Sequence, residues 1–124
     1  MQEIFDEVVK ISCGYRHSLA LTAKGEVFGF GSNKRQEMGL GEQPHAHESN
    51  FYAPLRLDQL DIHNITHVSA GGFSAAITDL NQLIIWGTGQ FGVFSTPQKV
   101  CMEGIFFKDI QISKQESCFA VATD

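Results

Sequence analysis

The residues of this 124-residue chain best suited to chemistry are its five histidines, with a few serines and glycines at suggestive spacings. His17 is a candidate base or ligand, because an imidazole changes charge near neutral pH. The plainer account is a buried ring at a strand entry, bonded to neighbouring backbone. Phe73 holds the same place in a second copy of the surrounding pattern, which favours packing over chemistry. His45 and His47 alternate about Ala46, so both rings can face one way on an extended chain. With His63, Glu42 and Glu48 they make a metal-ligand candidate. Such a site needs its ligands in fixed geometry, and a polar loop holds them poorly, so no metal and no cofactor are expected.

Ser18, Ser69 and Ser74 lie in strand-like runs and not on a G-x-S-x-G elbow, which argues against a hydrolase nucleophile. Gly29-x-Gly31 and Gly87-x-Gly89 lack the helix start and the Lys-Ser/Thr of a phosphate loop. No paired carboxylates stand out. The expectation is a protein without catalysis of its own.

The elements that must position these residues come from a repeat. Ile11 to Gly41 holds two β-type runs, a tight turn and a glycine-punctuated loop. The pattern returns from Val68 and begins a third time at Ile112, with Val68 matched to Ile112. Self-similarity on this scale points to a repeat architecture. The stretch from Gly31 to Pro54 is more than twice as long as that from Gly87 to Pro97, so the copies differ by a loop insertion. The units read as a lead-in at 1–7, a first repeat at 8–57, a second at 58–100 and an incomplete third at 101–124.

Ser18-Leu19-Ala20-Leu21-Thr22 alternates with period two, as does Glu26-Val27-Phe28-Gly29-Phe30. Gly25 ends the turn between them and Asn81 takes its place in the second copy. Both residue types tolerate positive φ, so both turns are expected to be hairpins of one kind. Pro54 and Pro97 read as the first residues of outer strands, where a missing N–H is tolerated. The unit is four short antiparallel strands, the size of a propeller blade.

Hydrophobic residues make up 43% and charged residues 19%, which suits a folded domain. The net charge of −5 and pI near 5.4 argue against a nucleic-acid surface, apart from a local basic spot at Lys34-Arg35. No apolar run is long enough to span a membrane, and the acidic start MQEIFDE does not resemble a signal peptide. Cys13, Cys101 and Cys118 are odd in number and unclustered, which reads as buried reduced thiols and an intracellular location.

Gly14-Tyr15-Arg16-His17-Ser18-Leu19-Ala20-Leu21-Thr22, then Gly25-Glu26-Val27-Phe28, Gly31-Ser32-Asn33 and Met38-Gly39-Leu40-Gly41, resembles the repeat of the regulator of chromosome condensation family. Trp86-Gly87-Thr88-Gly89-Gln90-Phe91-Gly92 resembles a shorter variant of it, and Gly71 matches Gly14. WD and kelch repeats are the nearest alternatives. The resemblance implies a seven-bladed β-propeller, of which this chain would hold about two and a half blades. Phe30 stands where the family usually has Trp, and Gln36-Glu37 replaces its usual Gly-Gln.

Proteins of this kind commonly act as interaction scaffolds, and some are guanine-nucleotide exchange factors for small GTPases such as Ran. The expected function is therefore protein binding, with exchange as the alternative. The candidate partner-binding loop is 42–53, carrying Glu42, Gln43, Pro44, His45, His47, Glu48, Phe51 and Tyr52. It is the insertion of the first copy and is expected to be exposed, since binding residues concentrate on loops of a fixed scaffold. Phe106-Phe107 is a second candidate contact patch, with a staple under the following strand as the favoured reading of the pair. The open ends of a partial propeller expose edges and apolar faces, so completion by further blades, a partner or a second copy is expected.

Overall fold

A computed structural model describes residues 7–41, 46–60, 64–89 and 92–100, and the backbone of 106–112 and 118–123. Strands β1 (Val8–Cys13), β2 (His17–Thr22), β3 (Val27–Ser32) and β4 (Asn50–Arg56) form one antiparallel meander. A short 3-10 turn at Asp58–Leu60 leads on to β5 (Ile65–Ala70), β6 (Ser74–Thr78), β7 (Leu83–Gly89) and β8 (Gly92–Val100), which repeat the meander. Strands β9 (Phe106–Ile112) and β10 (Cys118–Thr123) pair as a hairpin beside β5 and β6. Among the described residues the fold is all-β, with two four-stranded sheets and one two-stranded sheet.

The hairpin chemistry behaves as expected. Gly25 has φ +84° and Asn81 +62°, so both turns use a left-handed residue at the same point. Each sheet also carries a bulge near the start of its first strand, between Val8 and Lys10, between Ile65 and His67, and opposite Val121–Ala122 in the third.

The third register differs from the sequence reading. Ile11 pairs Ala20, Val68 pairs Ala76 and Ile110 pairs Ala120, so Ile110 and not Ile112 is the counterpart of Val68. Five residues separate the paired Ile112 and Cys118, against three between the paired Ala70 and Ser74, so spacing counted across that stretch misplaces β9.

The prolines also differ from expectation. Pro54 and Pro97 lie inside β4 and β8, where the register against the neighbouring strand shifts. In each case three residues ending in proline stand opposite one aromatic residue, Phe30 in the first sheet and Trp86 in the second. An outermost strand tolerates the missing N–H, and the bulge accommodates the ring.

The main core lies between the two complete sheets. Leu19, Leu21 and Val27 of the first face Val68, Ala76, Ile84 and Trp86 of the second. A smaller cluster of Phe73, Ala75, Ile77, Leu83 and Ile85 occupies the other face of the second sheet.

Candidate functional site

The polar residues that the sequence marks out converge where the two sheets meet. His17 opens β2 and Ser74 opens β6, one register position apart in the repeat, since Ser18 is the counterpart of Ser74. His17 Nε2 lies 2.7 Å from Ser74 Oγ, and both residues are buried. The Ser74 hydroxyl donates to the Glu37 carbonyl at 3.0 Å, so its oxygen is left to accept from His17. This fixes the neutral Nε2–H tautomer. Trp86 Nε1–H donates to the same carbonyl at 2.7 Å, filling its second lone pair. His17 Nδ1 is buried and has no hydrogen-bond partner among the described residues. Burial pushes the His17 pKa down from 6.5 to about 4, so the ring is neutral at physiological pH. The expected packing role stands, but the bond runs to a side chain of the next sheet and not to neighbouring backbone.

The connection from β3 to β4 brings Glu37 there. Asn33 organises it: Oδ1 accepts from Met38 N at 3.0 Å, and Nδ2 donates to Ala46 O and Glu48 O, each at 3.2 Å. Glu37 is almost wholly buried, and its Oε1 accepts from Arg35 N at 2.7 Å. Gln36 sits at φ +66°, a conformation that favours glycine, which accounts for the glycine usual at this place in the resembling repeats. Met38, Gly39, Leu40 and Gly41 then reach onto the second sheet. A Cβ on Gly39 would stand 2.8 Å from the Trp86 ring, and Gly41 N donates to Ser95 O at 2.8 Å. The glycine series thus forms a clasp, and its glycines are there because another sheet lies against them.

Gly14 and Gly71 do the same at the β1–β2 and β5–β6 turns. Tyr15 N donates to Gly71 O at 3.0 Å, and a Cβ on Gly14 would meet that oxygen at 2.5 Å. Gly31 and Gly87 share φ +103° beside the paired strand entries at His17 and Phe73. Gly89 and Gly92 pair at the tip of the short second connection, where Gly92 has φ +120°.

The candidate binding loop is redrawn. Glu42, Gln43, Pro44 and His45 lie outside the described residues, as do His63 and Cys101. His47 and Glu48 are exposed. Phe51 and Tyr52 belong to β4 and not to the loop. Phe51 packs against the core, whereas Tyr52 is 94% exposed. Alternation along a strand separates them. The expectation of buried thiols fails at Cys13, which is exposed and free, because the face of β1 that carries it is covered by no described residue. The side chains of Phe106, Phe107 and Cys118 lie outside what the structure describes.

Sequence reasoning missed Ser74 and Glu37. One signal was available. One repeat further on, Phe73 replaces the histidine, and Cys118, which opens β10, replaces the serine. The two halves of the bond change together.

Two meanders joined by glycine-rich contacts define successive blades of a β-propeller. Two profiles of the Regulator of chromosome condensation (RCC1) repeat match the chain, over residues 8–37 and 24–77. The chain belongs to that family. A Dictyostelium discoideum bifunctional serine/threonine-protein kinase/NEDD4-like E3 ubiquitin-protein ligase is 37% identical over 94 residues, which is 72% of this chain and 5% of that protein. The Arabidopsis thaliana ultraviolet-B receptor UVR8 is 33% identical over 86 residues, 68% of this chain and 18% of that one. Yeast RCC1 (Prp20) bound to Kap60 superposes with a TM-score of 0.79 at 18% identity, over 100% of this chain and 32% of that one. The chain therefore spans a small part of these relatives and about a third of the solved propeller. Among the described residues no helix is long and apolar enough to cross a membrane.

Proposed function

We propose that the chain is a protein-interaction module whose sheets hold a variable connection out for a partner. The observation that carries this is the division of labour between strands and connection. Both sheets keep the same strand order, the same turn chemistry and the same bulge, whereas the β3–β4 connection occupies 33–49 and the β7–β8 connection only 90–91. Residues 37–41 of the long connection are taken up in the clasp on the second sheet. The stretch beyond it, 42–49, with Tyr52 on the neighbouring strand, is the part we assign to a partner; among its described residues His47, Glu48 and Ser49 are exposed, and loops are where repeat scaffolds place their contacts. The buried polar groups His17, Ser74 and Glu37 are taken up in joining sheets, and none is presented to a substrate. The exposed free thiol of Cys13 suits a reducing, intracellular compartment.

The test replaces 42–49 with Gly-Ser residues and, separately, Tyr52 with Ser, in the full protein. The expected result is an unchanged melting temperature and loss of a partner captured by the wild type. Unchanged capture by both variants would overturn the assignment of the surface. Release of labelled GDP from a Ran-type GTPase, measured on the same samples, is expected to stay at its basal rate. Acceleration would make the module part of an exchange factor.

A further inference from the structure

We propose that the β1–β2 turn and the start of the β3–β4 connection form a cationic, aromatic docking surface for an acidic segment of a partner protein. It rests on the reading of the chain as an interaction module and adds a second surface with a stated chemistry. Tyr15 is 58% exposed, and the Arg16 guanidinium lies 5.3 Å from its ring centroid. A cation held over a ring is partly oriented before any partner arrives, and the exposed pair offers charge to carboxylates and ring surface to apolar groups. Lys34 is exposed close by. Ser32 N donates to Arg16 O at 2.8 Å, and Ser32 Oγ accepts from Lys34 N at 3.2 Å, so one residue ties the two basic segments together. Arg35 follows on the same connection.

The surroundings set this patch apart. Among the described residues, Arg16 and Lys34 form no ion pair, whereas Arg56 at the other end of the sheet is bound to Glu26 at 2.7 Å. Of the two acids described in the 33–49 connection, Glu37 is buried with Oε1 on Arg35 N, and Glu48 is exposed. The whole chain carries a net charge of −5, so two unpaired cations on one end stand against the prevailing sign. The patch is also fixed in place: Tyr15 N is bonded to Gly71 O of the second sheet, so it sits across the junction. Oppositely charged segments are drawn to such a patch, and its field is what a second acidic chain lacks. Nucleic acid is the less suitable ligand, since the rest of the acidic surface repels a polyanion longer than the patch.

The probe is a fluorescein-labelled peptide of ten alternating Glu and Ala residues, titrated with the full chain and followed by anisotropy. Binding is expected at low salt, weakening at least tenfold in the Arg16→Gln/Lys34→Gln double variant and by less than twofold in Lys99→Gln, whose cation lies on β8. Tyr15→Ser is expected to weaken it about threefold. Raising the salt should weaken the wild type, as it does any exposed charge pairing. The substituted side chains are exposed, so unchanged melting temperatures are expected for all variants. Absence of peptide binding, equal loss in Lys99→Gln, or tighter binding of a ten-base-pair DNA duplex overturns the proposal. Each of these outcomes leaves the 42–49 experiment unaffected, so the two readings fail separately.

Discussion

Among the described residues the same face occurs twice, once covered and once bare. In the second sheet Val68, Ser74 and Trp86 lie under the clasp and are buried. In the first sheet Ile11, Ser18 and Phe30 hold the equivalent places; Ile11 is 57% exposed, and the other two are half-buried. The seat is built in both cases, down to the proline bulge opposite the aromatic ring. What differs is whether a neighbouring unit supplies a Met-Gly-Leu-Gly segment. A sheet of this kind is both a receiver and a supplier, and its stability resides in the joints, as in other stacked repeats.

Trp86→Ala tests that contrast most severely. It should cost about 3–5 kcal/mol, because the ring is fully buried under Gly39, while Phe30→Ala should cost well under half as much. Chemical unfolding of both variants measures the ratio, and equal losses would mean the first face is covered after all. Trp86→Phe, which places the first sheet's residue in the second seat, should forfeit about 1 kcal/mol for the lost bond to Glu37 O.

Acid should loosen the covered joint. Unfolded His17 takes a proton near pH 6.5 and folded His17 only near 4, so stability is full above pH 6.5 and falls as pH drops through that window. The shift amounts to roughly 3 kcal/mol, lost progressively between those values. His17→Phe, which copies Phe73, should flatten this part of the profile in urea titrations at stepped pH. A profile of unchanged slope would assign the acid sensitivity elsewhere.

Smaller effects separate joints from turns. Gly25→Val should cost about 1–3 kcal/mol, since φ is +84° and a Cβ would stand 2.6 Å from Asn64 Oδ1 at the start of the second repeat. Asn81→Gly should be neutral or slightly stabilising at the matching turn. Gln36→Gly should raise stability by up to about 1 kcal/mol by relieving a left-handed glutamine. A loss there would show that the Gln36 side chain holds the clasp in some further way.

Much of the fold could be read in advance because its signals are local. Alternation in Ser18–Thr22 and the Gly25/Asn81 turn chemistry depend on neighbours a few residues apart. The joint could not be read this way. Glu37 looks like a surface carboxylate, and only the packed structure shows its carbonyl shared by Ser74 and Trp86, far along the chain. Cys13 misled for a related reason: burial of a first strand depends on what lies beside it. Tyr15 and Arg16 were noticed as parts of a motif, but their stacking is a matter of side-chain placement that spacing does not encode.

The clasp also has a direction in time. Met38 to Gly41 precede, in order of synthesis, the Trp86, Ser95 and Pro97 positions that they meet. The first sheet is a local meander and can pair its strands as soon as Arg56 has left the ribosome. Its apolar segment must then wait until β8 emerges. During translation the leading unit therefore carries an unmet sticky segment for the whole length of the next unit. That interval, and not the finished molecule, is when a chaperone has most to gain by binding it.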